Sequence, residues 1–166
     1  MATKKGIMIT GIILAAITAA SFLVWLIPQN IETKIIISDF GVHLDNVKEI
    51  HSTLNNGINE EFKNMLDKKI TPQEYTNLAE ISSTQVKSQI MQLVESKAPE
   101  EWHESYLNYI EALKVFNSEI RETIVVATLV SEDKQTTSEF RDVIKKIDLL
   151  KKDSKSLVDA SDQARP

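Results

Sequence analysis

Two kinds of hydrophobic pattern divide the chain. From Gly6 to Ile27 no residue is charged, and only Thr10, Thr18 and Ser21 are polar. From about Ser38 onward, apolar residues recur at steps of three and four, which is the spacing of amphipathic helices. The first such stripe is Phe40, Leu44, Val47, Leu54, Ile58, Phe62 and Met65, with His51 at a seam position. It predicts a helix of about 30 residues. Gly41 and Gly57 each weaken that helix by about 1 kcal/mol relative to Ala, so a bend or break is expected near Asn55, Asn56 and Gly57. Residues 28–37 fit a linker or a helical continuation of the apolar run, because Ile35, Ile36 and Ile37 are β-branched whereas Ile31 to Ile35 makes a helical step.

The next helix has the clearest start. Thr71 can cap it, Pro72 suits its first position, Glu74 completes a capping box, and Ile70 with Tyr75 forms a hydrophobic staple. Its face is Tyr75, Leu78, Val86, Ile90, Leu93 and Val94, interrupted by Ser82, and it runs to about Lys97. A third helix opens at Pro99, with Glu100 and Glu101 placed at its positive end. Trp102, Tyr106, Tyr109, Leu113, Phe116, Ile120, Ile124 and Ala127 keep a heptad-like rhythm there, the mark of a seam that packs on other helices. After the polar stretch Ser131 to Thr137, Thr136 and Glu139 form the expected capping box of a last helix. Phe140, Val143, Ile147, Leu150 and Leu157 are its inner face. Asp142 with Lys146, and Asp148 with Lys152, are spaced for ordinary solvated pairs on its outer face.

Such helices bury their stripes most simply against one another. The expected fold is all-α: an N-terminal transmembrane helix followed by an antiparallel, up-down four-helix bundle of long helices. The corresponding map is a cytoplasmic tail at 1–5, an anchor at 6–27, a linker at 28–37, the bundle at 38–160 and a disordered polar tail at 161–166.

The assignment of the anchor rests on length and flanks. At about 1.5 Å per residue the run reaches about 33 Å, enough for a hydrocarbon core of about 30 Å. Trp25 suits the headgroup interface, and Pro28, Gln29 and Asn30 end the run. Lys4 and Lys5 precede it with no basic excess beyond it, which places the N-terminus in the cytoplasm and the bundle outside. A cleaved secretory signal is the competing reading, since Thr18, Ala19, Ala20 and Ser21 are small. Cleavage after Ala20 would leave Ser21 to Ile27 as an unburied apolar tail. Gly11, Ala15 and Ala19 recur four apart, a spacing that lets membrane helices approach closely.

Composition narrows the chemistry. The 166 residues contain no Cys, which excludes disulfides, thiolate metal sites and a cysteine nucleophile. The net charge is −5, and more negative once Lys4 and Lys5 are set aside, so nucleic acid is not an expected partner. Gly and Pro number four each, consistent with long helices and few connections.

No residue is assigned to catalysis, to a cofactor or to a metal. Glu100 and His103 have the Glu-x-x-His spacing of di-iron bundles, but the second copy that such sites need is missing. A solvated first turn accounts for them. His43 and His51 lie eight apart and can share a helix face; edge or partly buried positions explain both. Trp102, Tyr106, Tyr109 and Phe116 are expected in the core, with the tyrosine hydroxyls at the bundle surface. No nucleophile elbow or glycine-rich phosphate loop is present.

In outline, an anchor followed by a four-helix outer domain resembles the sensory half of prokaryotic chemoreceptors, a likeness of architecture carried by no residue motif. The start Pro99-Glu100-Glu101-Trp102-His103 with Tyr106-Leu107 is similar to helix starts in membrane-attached helical proteins of prokaryotes, and implies no activity. The expected function is a non-enzymatic interaction module, or an accessory subunit of an envelope or membrane complex, held in the membrane through Gly6 to Ile27 and bound to a protein partner. The alternative is a ligand-binding or sensory domain that acts through a separate transducer, marked by a pocket between helices at Tyr106, Tyr109 or His51.

Overall fold

The computed structural model describes Ile37 and residues 39–166. The anchor, its flanking lysines and residues 28–36 of the linker lie outside the described residues. Among the described residues there are four helices and no strand: α1 (Phe40–Leu66), α2 (Pro72–Glu95), α3 (Glu100–Ser131) and α4 (Ser138–Gln163). None of them is long and apolar enough to cross a membrane.

Local chemistry sets the boundaries. Asp39 caps α1 by accepting from the Val42 N–H at 3.0 Å. The capping box of α2 is complete, Thr71 and Glu74 each accepting from the other's backbone N–H. Thr137, not Thr136, caps α4, accepting from the Phe140 N–H at 3.2 Å. Glu139 therefore misses the third helical position that a capping box requires. Gly41 and Gly57, the glycines among the described residues, do not end the helices. Lys68, Lys97 and Asp133 follow α1, α2 and α3 in the left-handed region, at φ 59°, 50° and 57°. After α1 and α3 the returning N–H groups of Lys69 and Lys134 close on the Asn64 and Leu129 carbonyls, each at 2.8 Å.

The expected break near Gly57 does not occur, and α1 is continuous for 27 residues. The Asn59 amide donates to the Asn55 carbonyl at 2.8 Å and bridges that turn. Gly41 has a packing role: a Cβ there would lie 3.2 Å from the Trp102 ring.

Consecutive helices run antiparallel, as their cross-contacts show. Phe62 meets Tyr75 between α1 and α2. Tyr75 donates to Thr123 and Ser83 to Asn117, both at 2.6 Å, between α2 and α3. Ser105 donates to the Ser161 carbonyl at 2.8 Å and Ser154 to the Ala112 carbonyl at 3.1 Å between α3 and α4. Helix α3 is the axis of the fold, the one helix packed on all three others. Leu113, Ile120 and Ala127 on it are completely buried, whereas Trp102 and Ile124 are only half-buried. A second seam, absent from the sequence reading, runs along α3 through Ser105, Ala112, Glu119 and Val126, all buried. Small residues at Ser105, Ala112, Ser154 and Ser161 allow α3 and α4 to approach closely. The register that joins Ser105 to Ser161 and Ala112 to Ser154 sets Glu119 level with Ile147.

Two surface expectations are also revised. Asp142 pairs with Lys145 at 3.6 Å, and Lys146 reaches across to Glu122 on α3 at 2.7 Å. The tail does not fray at Ala160. Helix α4 continues to Gln163, Ser161 is fully buried, and Arg165 pairs with Asp45 and Asp162.

Candidate functional site

The ring of helices is not closed by backbone. No Cα of α1 comes within 8 Å of one of α4, although the sequential pairs and α1 with α3 all do. Side chains span the opening instead: Lys48 reaches Asp162, Arg165 reaches Asp45, and Lys151 donates to the Asn59 side-chain carbonyl at 2.6 Å. Beneath these bridges lies a cleft of about 490 Å³ whose floor is α3. Its lining includes His51 and Asn59 from α1, Tyr109 and Glu119 from α3, and Lys151 and Val158 from α4.

On the floor, His51 Nδ1 and the Tyr109 hydroxyl share a hydrogen bond of 2.8 Å. The His51 ring also packs on Phe116, with centroids 4.6 Å apart. Burial lowers the His51 pKa from 6.5 to about 4, so the ring is neutral at pH 7. Burial, then the negative charge of Asp162, pushes the Tyr109 phenol well above its ordinary value. The Lys48 ammonium lies 5.6 Å from the centre of the Tyr109 ring.

Glu119 is the unusual member. The residue is 1% exposed, and its Oε1 is buried without a hydrogen-bond partner. Lys151 Nζ stands 3.9 Å from that oxygen, too far to donate. Burial raises the carboxyl pKa to about 7; Lys151 opposes the rise and Asp148 adds to it. A carboxyl so placed is a hydrogen-bond acceptor without a donor.

The other sequence candidates lie apart from this cleft. His43 shares a 2.9 Å hydrogen bond with the Tyr106 hydroxyl, which donates to the Phe40 carbonyl at 2.9 Å. Because that hydroxyl's proton is committed to Phe40, His43 Nδ1 is the donor to Tyr106. The tyrosine hydroxyls thus turn inward to α1, which corrects the expectation that they point to the bundle surface. Glu100 and His103 are exposed on the first turn of α3. Among the described residues no three His, Asp or Glu side chains converge as metal ligands would.

Sequence reasoning reached His51 and Tyr109 and missed Glu119, Lys151 and Asn59. The signal for Glu119 was available, since it follows Ser105 and Ala112 at intervals of seven and precedes Val126 by seven. Comparison of the chain with family models, with curated proteins and with solved structures finds no match.

Proposed function

We propose that this chain is a membrane-anchored helical bundle on the outer side of the membrane that works by binding and not by catalysis: an interaction module or accessory subunit of an envelope or membrane complex. The observation that carries the reading is the uncharged run Gly6 to Ile27 with Lys4 and Lys5 before it, joined to four packed helices. The chemistry of the cleft agrees with a binding role. Its histidine is neutral and engaged with Tyr109, and Ser154 donates to a backbone carbonyl instead of facing a base.

A second reading, a ligand-binding domain coupled to a separate transducer, is favoured by one specific observation. The cleft lies between helices and is lined by His51 and Tyr109, as such a domain requires.

Topology decides whether the partner or ligand is met outside the cell. The chain has no Cys, so single cysteines at Thr3 and at the exposed Asp153 serve as reporters. A membrane-impermeant thiol reagent applied to intact cells is expected to label position 153 and not position 3. Labelling of position 3 alone would put the bundle in the cytoplasm and remove the envelope-partner reading. Labelling of position 153 on a product shortened by the N-terminal run would make the protein a secreted bundle with a cleaved signal.

A further inference from the structure

The cleft between α1 and α4 presents opposite charges side by side with neither fully satisfied. Glu119 Oε1 lacks a donor although more than nine-tenths of the residue is buried, and buried polar atoms are nearly always hydrogen-bonded. Lys151 Nζ is held 3.9 Å away by its bond to Asn59 on the opposite wall. One turn further along α4, Lys155 adds a second ammonium to the lining, and Val158 an apolar patch.

We propose that this cleft binds a small zwitterion, a molecule carrying an ammonium and a carboxylate a few bonds apart. The ammonium donates to Glu119 Oε1, and the carboxylate lies against Lys151 and Lys155. Each simpler ligand fails on the same geometry. An anion alone leaves Glu119 without a donor and adds repulsion beside it. A cation alone satisfies Glu119 and meets Lys151 and Lys155 at close range. An apolar molecule gives Glu119 no donor, shuts water off from the Lys151 and Lys155 ammoniums and supplies no hydrogen bond in return, which is costly for buried ions. The cleft volume of about 490 Å³ suits a ligand of amino-acid to dipeptide size.

This inference rests on the ligand-binding reading but not on membrane sidedness, so the labelling result leaves it standing or falling by itself. The test is calorimetric titration of the full chain in detergent at fixed ionic strength. The probes are L-alanine and γ-aminobutyrate as zwitterions, with acetate and ethylammonium as single-charge controls. At least one zwitterion is expected to bind with a Kd below about 1 mM, and acetate and ethylammonium more than tenfold more weakly. Glu119→Gln and Lys151→Met should each weaken the zwitterion at least tenfold, while Lys114→Met, on the exposed side of α3, leaves it unchanged. Should Glu119→Gln lose its helical circular dichroism, Asn59→Ala, which releases Lys151 at the cleft rim, takes its place with the same expectation. Equal affinity for acetate and zwitterion, equal affinity for ethylammonium and zwitterion, or no heat from any probe up to about 10 mM would each overturn the assignment.

Discussion

Glu119 and His51 are shifted in opposite directions by the same cause, burial beside the cleft. Glu119 keeps its proton to about pH 7 in the folded chain, against 4.5 when unfolded. Below pH 4.5 both states are protonated; as pH rises toward 7 only the unfolded chain releases the proton, and stability falls by about 3 kcal/mol in total. His51, lowered to about 4 from 6.5, acts the other way. Its contribution is whole above pH 6.5 and is lost as pH falls toward 4, again by about 3 kcal/mol. Between pH 4.5 and 6.5 the two slopes nearly cancel. The Glu119→Gln variant removes one of them, so its stability relative to the parent chain should rise steadily from pH 4.5 to about 7 and remain higher beyond. Denaturant unfolding at several pH values reads the difference. Parallel profiles for variant and parent would mean that the carboxyl is not buried as described. Nothing in local sequence separates Glu119 from the solvated acid Glu111; only its place in the second seam of α3 does.

Helix starts were legible to the extent that their side chains act locally. Thr71, Pro72 and Glu74 satisfy one another within a single turn, and the structure repeats what the sequence implies. The start of α4 is a different case, because the turn that ends α3 reaches into it. Asp133 takes the left-handed conformation, Lys134 closes on Leu129, and Thr137 N–H closes on Lys134 at 3.1 Å, so helical geometry begins only after Thr137. Thr137→Ala is therefore expected to cost about 1 kcal/mol, and Thr136→Ala less than about 0.5 kcal/mol. Thermal unfolding of the two variants compares them directly, and a larger loss at position 136 would restore the capping box with Glu139. Helix ends were less legible. Lys68 and Lys97 carry no mark of the left-handed backbone they adopt, a conformation for which glycine is the usual residue, and Asp133 carries only the modest preference of aspartate for it. The apolar stripe of α3 was found, but its second seam sets Ser105 and Glu119, which hydropathy reads as surface, in line with Ala112 and Val126.

At the scale of the molecule, periodicity was enough to give four packed helices but not the opening between two of them. Stripes count buried faces, and α1 presents the same stripe whether its fourth neighbour touches it through backbone or only through long side chains. What holds α1 to α4 is then concentrated in Lys48, Asp45, Asn59 and their partners, and two of those three contacts depend on residues beyond Ala160. Composition marks that segment as a fraying tail, since it is short, small and polar. In the structure Ser161 is buried against Ser105, Asp162 receives Lys48, and Arg165 spans Asp45 and Asp162. Partly exposed ion pairs contribute about 0 to 1 kcal/mol each, and a buried hydrogen bond about 1 kcal/mol. Deleting residues 161–166 should therefore destabilise the bundle by about 1 to 3 kcal/mol, with the loss unevenly spread. Amide exchange is expected to quicken in the first half of α1, around Asp45 and Lys48, while the centre of α3, enclosed by three helices, keeps its protection. Added salt should reproduce part of the effect on α1 in the intact chain, because two of the three bridges over the cleft are ion pairs near its surface. If the shortened chain unfolds at the parent's denaturant midpoint, with unchanged exchange in α1, the segment is the loose tail its composition describes, and the α1–α4 seam is held by Lys151 and Asn59 alone.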